Sequence, residues 1–176
     1  ERLITDYSQM LKDEVALSRE KMKKINLKII ARSVVDDFNN IYEAKRGIKI
    51  ILNDPNNSEE YFINGIENRI EQIIANLLDN SISFSDDNKS ILVEISKNEN
   101  EKVVLKVIDE GKGFKEIDTN KIFKRFYSNR PDNFGEHSGL GLNIVKNLVD
   151  LHGATITAIN NINRQGANIV IIFPKI

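Results

Sequence analysis

A two-layer α/β sandwich with a mixed β-sheet is the fold class the sequence predicts, and three observations lead to it. Ile66–Ser85 carries apolar residues at Ile66, Ile70, Ile73, Ile74, Leu77, Leu78 and Ile82, the three-and-four spacing of a helix with one buried stripe. Ile91, Val93 and Ile95 alternate with polar residues, and a turn at Asn98–Asn100 joins them to Val103–Ile108; this is the pattern of a β-hairpin. Helices and hairpin-linked strands alternate along the chain without regular βαβ units, which favours a mixed sheet covered by helices.

The elements follow in order. Residues 1–23 place Leu3, Met10 and Leu17 seven apart, with Ile4, Tyr7 and Leu11 alongside, an amphipathic coiled-coil helix expected to pack on another chain or on a preceding segment. The chain opens at Glu1 inside that pattern, so it is expected to be a fragment of something longer. A domain over residues 25–176 begins where Asn26 can cap a helix with Ile29, Ile30, Val34, Val35, Phe38, Ile41 and Tyr42 at helical spacing, ended by Gly47. Ile48–Leu52 reads as a strand, Asp54–Asn57 as a turn, and Tyr61–Asn64 as a short return. After the helix at 66–85 and the hairpin, some 25 residues lack any clean period and include Phe123, Phe126, Tyr127 and Phe134; a loop of that length is uncommon unless functional. A helix from about Gly141 to Leu151, stopped by Gly153, and strands at Ala154–Ile159 and Ala167–Phe173 close the fold.

Composition narrows the function. The 25 basic and 26 acidic residues give a net charge of −1, so nothing marks a broad nucleic-acid or anionic-membrane surface. Cysteine is absent, which removes disulfides and thiolate metal sites and suits a cytoplasmic setting. No run approaches the ~18 apolar residues of a membrane span, so no membrane contact is expected of these residues themselves.

Four groups of residues carry chemistry. Asn76 and Asn80 lie one helical turn apart on one face, and carboxamide oxygens can bind a hard cation such as Mg²⁺. Asp109 leaves an apolar strand beside Gly111 and Gly113, a sheltered carboxylate able to accept the exocyclic amine of adenine. Gly139 and Gly141 enter a helix, where exposed N–H groups and the helix dipole favour phosphate; either glycine pair taken alone also fits a tight turn. The long loop between them supplies Lys124, Arg125 and Arg130.

In this order, Asn76-Leu-Leu-Asp-Asn80, Asp109-Glu-Gly111-Lys-Gly113, Ile122-Phe-Lys-Arg-Phe126-Tyr127 and Gly139-Leu-Gly141-Leu142, with His152-Gly153 downstream, the chain resembles the N, G1, F and G2 boxes of two-component sensor histidine kinases. The resemblance covers about residues 25–176 and implies the ATP-binding GHKL (Bergerat) fold shared with DNA gyrase and HSP90: a mixed sheet backing about three helices, with a lid here at about 113–138. It implies Asn80 as Mg²⁺ ligand and Asn76 near the phosphates, both catalytic, and Asp109 on the adenine amine. Gly111 and Gly113 would let the chain pass close to the base, Phe84 would pack on adenine, and Ser138, Gly139, Leu140, Gly141 and Leu142 would close on the triphosphate. Residues 1–23 resemble the second helix of the dimerisation and phosphotransfer hairpin.

Where many relatives have lysine and tyrosine, this chain has Ser83 and Phe84, and Ser128-Asn129 precede Arg130 where relatives place arginine directly. Arg130 is therefore assigned the charge that neutralises the transferred phosphoryl group, with Lys124 or Arg125 as alternatives. The Ile82–Ser85 and Phe126–Pro131 variants resemble ChvG-type sensors. Neither His137 nor His152 has the context of a phosphoacceptor; His152 is read as a helix-ending cap.

The function the resemblance implies is transfer of the ATP γ-phosphoryl group to a histidine on an upstream helical hairpin. From there it would pass to an aspartate of a response regulator, within a homodimeric parent anchored in the bacterial inner membrane. Two alternatives remain open. One is a gyrase- or HSP90-like ATPase switch, although those proteins have a Glu general base where this chain has Asn76, and an amide cannot take a proton from water. The other is a nucleotide-binding scaffold that has lost catalysis.

Overall fold

The computed structural model describes residues 21–114, 119–124, 140–162 and 165–176. Residues 1–20 of the helix expected over 1–23 lie outside them; Lys21 and Met22 are not helical, and Lys23 opens a strand instead. The order is β1 (Lys23–Asn26), α1 (Leu27–Arg46), β2 (Lys49–Asn53), β3 (Phe62–Gly65), α2 (Glu67–Phe84), β4 (Ser90–Lys97), β5 (Val103–Ile108), a 3₁₀ turn (Thr119–Phe123), α3 (Leu140–Leu151), β6 (Thr155–Asn160) and β7 (Ala167–Ile172).

Five strands form one sheet in the order β2-β4-β5-β7-β6, with β2 parallel to β4 and every other pair antiparallel. The sheet is mixed, as expected. The buried stripe of α2 (Ile70, Ile73, Ile74, Leu77, Leu78) meets Ile91, Val93, Ile95, Leu105, Val107, Ile169 and Ile171 from the sheet and Val145, Leu148 and Val149 from α3 in one core. In α1 the stripe is narrower than its sequence suggests. Ile30, Val34 and Val35 are buried, while Ile29 and Ile41 face solvent at 62% and 55% exposure; at about 100° per residue Ile29 turns away from the Ile30–Val34 line, whereas Ile41 stays on that line and is exposed farther along the helix.

Polar side chains finish the elements. Asn26 caps α1 by accepting from Lys28 N at 3.1 Å, and Gly47 ends it in the left-handed conformation. Arg46 reaches across to α2, donating from Nη1 to Ile82 O (2.9 Å), from Nη2 to Ser85 O (2.6 Å) and from Nε to Asp87 (2.7 Å). It thereby supplies donors at the end of α2, where Ile82 O also accepts from Ser85 N at 3.2 Å. On the outer edge of the sheet, Asn39 accepts from Ile50 N at 2.8 Å and donates to Ile50 O at 2.9 Å.

The segment expected to return along β2 pairs elsewhere. β3 joins β1 in a separate antiparallel ribbon, with Ile25 opposite Ile63. The reason is the connection between β2 and β3, which is drawn onto the start of α1. Lys28 Nζ donates to Asp54 (2.8 Å), Ser58 O (2.8 Å) and Glu59 (2.9 Å); the fully buried Tyr61 donates its hydroxyl to Asp54; and Leu27 N donates to Tyr61 O at 2.9 Å. The Asp54 hydrogen bond holds the Lys28 ammonium above its ordinary range. Burial and the same carboxylate push Tyr61 up to about 12. For Asp54, burial works against the charge, but the bonds from Lys28 and Tyr61 outweigh it and lower its pKa. No helix among the described residues is long and apolar enough to cross a membrane.

A carboxyl group with a depressed folded pKa contributes stability above its ordinary value, lost as pH falls through the folded one. Asp54→Asn is therefore expected to lower the urea midpoint at neutral pH. The gap to the parent chain closes as pH drops below 3.8, the ordinary value; unfolding curves across that range check it.

Candidate functional site

Asp109 follows the last residue of β5 and extends that strand's pairing, its N–H donating to Ala167 O at 3.0 Å. Its side chain is 3% exposed. Oδ1 accepts from Gly111 N at 2.9 Å and from Ala167 N at 3.1 Å, and the Ser81 hydroxyl is a further donor to the carboxylate. Burial pushes its pKa up and Glu110 adds to the rise, while these three donors pull it back; the balance lies above the ordinary carboxylate value.

The two glycines after Asp109 are required for different reasons. Gly111 is a matter of space: a Cβ there would lie 2.5 Å from the Phe84 carbonyl oxygen, so the chain leaving β5 passes directly under the end of α2. Gly113 has φ +79 and would also bring a Cβ within 2.5 Å of Asn160 Oδ1, a conformation and a space that favour glycine. Asn160 then clasps the next residue from both sides, accepting from Phe114 N at 2.7 Å and donating to Phe114 O at 3.2 Å. Its neighbour Asn161 donates to Asp109 O at 3.0 Å.

The last turns of α2 complete this corner. Asn80 is 4% exposed, buried rather than lying on a polar face as its spacing with Asn76 suggested. Ser83 is also buried, its hydroxyl donating to Asn80 O at 2.7 Å, and Ser85 donates to Ser81 O at 2.8 Å. Position 83 thus faces inward and closes the turn. Phe84 is half-buried.

The start of α3 lies beside the other asparagine. Asn76 Nδ2 approaches Gly141 O at 3.5 Å, and around Gly141 a Cβ would meet no atom within 4 Å. Leu142 is 9% exposed and belongs to the core, so it can offer a ligand only its backbone. Asn143 donates to Phe123 O at 3.1 Å, tying α3 to the 3₁₀ turn, whose Ile122 and Phe123 are buried.

The structure thus brings Phe84 to Gly111 and Ser81, the neighbour of Asn80 on α2, to Asp109, and it brings Asn76 to Gly141. Leu140 is the first residue of α3, and Lys124 is exposed. Arg125, Arg130, His137, Ser138 and Gly139, with most of the expected lid, lie outside the described residues. Sequence reasoning missed Ser81, Arg46, Asn160 and Asn161. Ser81 stands next to Asn80 and could have been noticed as a hydroxyl on the buried side of a helix; the other three act across long sequence separations and leave no local sign. Among the described residues no cluster of three His, Cys, Asp or Glu side chains could hold a metal. A cation beside Asn80 would therefore take most of its ligands from water and phosphate, which is the habit of Mg²⁺.

The same fold recurs in known proteins. The chain is 33% identical over 172 residues to Sensor protein ChvG of Rhizobium meliloti, covering 94% of this chain and 30% of that protein. It is 31% identical to its counterpart in Agrobacterium fabrum, covering 29% of it. The chain thus spans less than a third of these relatives. Among solved structures, the nucleotide-free catalytic domain of histidine kinase ThkA matches with TM-score 0.75 and 25% identity, over 89% of this chain and 97% of that one. ThkA in complex with response regulator protein TrrA matches with TM-score 0.75 and 23% identity, over 98% of this chain and 48% of that one. Residues 65–176 match the family described as histidine kinase-, DNA gyrase B-, and HSP90-like ATPase. With the mixed sheet, the carboxylate beneath α2 and the glycine-led helix α3 in place, the chain belongs to that family.

Proposed function

We propose that this chain is the ATP-binding catalytic part of a sensor histidine kinase, with residues 25–176 as the catalytic domain and 1–23 as part of the phosphotransfer hairpin. The observation that carries the reading is the buried Asp109 carboxylate, fixed by Gly111, Ala167 and Ser81 beside the turn that carries Asn80. An acceptor-only group held in a dry corner selects a ligand with an N–H donor, as the 6-amino group of adenine has. Phe84, half-buried at the end of α2, offers the base a ring face.

From that anchor the triphosphate runs toward Asn76 and the start of α3. Asn76 and Asn80 orient the phosphates, and the backbone at Gly139, Leu140, Gly141 and Leu142, with Ser138, supplies N–H donors at a helix N-terminus. Asn80 would hold Mg²⁺, which would supply positive charge against the phosphates. Arg130 is assigned the charge on the departing γ-phosphoryl group. The acceptor is an imidazole on the hairpin, and transfer onward to a response regulator is supported by the likeness to ThkA, which has been solved with TrrA. A homodimeric parent anchored in the inner membrane, with this part in the cytoplasm, follows from the same reading. Asn76 is no base, so water is a poor competitor for the γ-phosphoryl group.

Three outcomes test this. Asp109→Asn is expected to weaken ADP binding about ten- to a hundredfold with or without Mg²⁺, whereas Asn80→Asp changes only the metal-dependent part; calorimetry that finds equal affinities for all three proteins removes the site. Gly141→Ala meets nothing in the fold, so its thermal midpoint is expected to equal or exceed that of the parent chain while ATP affinity falls. Radiolabelled ATP with Mg²⁺ and an added acceptor hairpin is expected to label the hairpin's histidine. Steady-state hydrolysis matching a dedicated ATPase, with no labelled hairpin, would favour the switch instead.

A further inference from the structure

We infer that His152 is a positioning residue of the nucleotide site, a neutral imidazole that sets the register of α3 against α2 and so places Gly141 beside Asn76. The inference rests on the nucleotide reading above and goes beyond it. His152 is 5% exposed, just past the end of α3. Its Nε2 accepts from the N–H of Ile66, the N-cap residue of α2, at 3.2 Å, and its Nδ1 lies 2.7 Å from Leu148 O. A backbone N–H can only donate and a carbonyl can only accept, so the ring must carry its proton on Nδ1 and none on Nε2. Gly65 makes room for it: a Cβ there would lie 3.1 Å from the ring.

The second tie joins the middle of α2 to the start of α3, where Asn76 meets Gly141. From Gly141 to His152 the chain rises about 16 Å, and from Ile66 to Asn76 about 15 Å. The two antiparallel spans match, so one tie fixes the other. Without the Ile66 bond, α3 is free to slide along its packing ridge, and the phosphate end of the site moves while the adenine end, held by Asp109 and the sheet, does not. Protonation has the same effect as removal, because an imidazolium would turn an N–H toward the Ile66 N–H. Burial is what lowers the imidazole pKa; the Leu148 carbonyl opposes it. The charged side chains on the surrounding elements are Lys24 of β1, Glu67 of α2, Lys146 and Asp150 of α3 and Lys175 beyond β7, and Lys146 is paired with Asp150 at 2.6 Å.

The experiment compares the chain with His152→Asn, whose amide can still cap Leu148 O but falls short of Ile66, and His152→Gln, whose oxygen reaches as far as Nε2. Affinities for Mg²⁺-ATP and for adenosine are measured from about pH 7.5 to about pH 5.5, and imidazole ¹⁵N shifts are recorded. The expected result is an Nδ1–H tautomer. His152→Asn loses about fivefold in ATP affinity with adenosine unchanged, and His152→Gln keeps the parent ratio. As pH falls below 6.5, the parent loses ATP affinity relative to His152→Gln; protonation of ATP itself is common to both and cancels. An Nε2–H tautomer, or an Asn variant that keeps the parent ratio or weakens both ligands equally, overturns the positioning role. Failure of all three proteins to bind either ligand overturns the nucleotide reading, and this inference with it.

Discussion

The rest of the site depends on one buried charge. Removing a carboxylate from water is expensive unless hydrogen bonds replace the lost hydration, and Asp109 obtains them from three separate parts of the chain: Gly111 two residues on, Ala167 at the start of β7, and Ser81 near the end of α2. The group therefore cannot be seated until β7 has paired with β5 and α2 has packed across the sheet. Arg46 and the serines at 83 and 85 serve the same end by satisfying the carbonyls of that helix terminus. Binding chemistry and folding are here the same set of contacts.

Much of this was legible in the sequence where burial is one-sided and local. The stripe of α2 and the alternation of β4 show their period because one face of each meets the core, and their bounds fall within a residue or two of those expected. β1 was not legible, since Lys-Lys-Ile-Asn offers a single buried side chain, Ile25, too little for any period. The partner of β3 was equally hidden: it follows from Lys28 meeting Asp54 and Glu59, a contact fixed by three-dimensional charge satisfaction rather than by spacing.

At the site, residue type was readable and environment was not. Asp109 beside two glycines reads as a sheltered carboxylate at a tight passage of the chain, yet Gly111 is required by the Phe84 carbonyl above it and Gly113 by its positive φ, reasons a sequence does not separate. Asn80 looked like half of a polar pair and is instead buried. His152, read as a cap, does cap α3 through Leu148 O, but its other nitrogen joins a second helix 86 positions away. Side chains that work at both ends reveal only the nearer one in a linear reading.

The clasp of Asn39 on Ile50 has a further consequence. A strand at the rim of a sheet normally presents free amides that a foreign chain can extend, but here a side-chain carboxamide already takes both groups where a visiting backbone would dock. Strand addition along the β2 flank is thereby obstructed at Ile50.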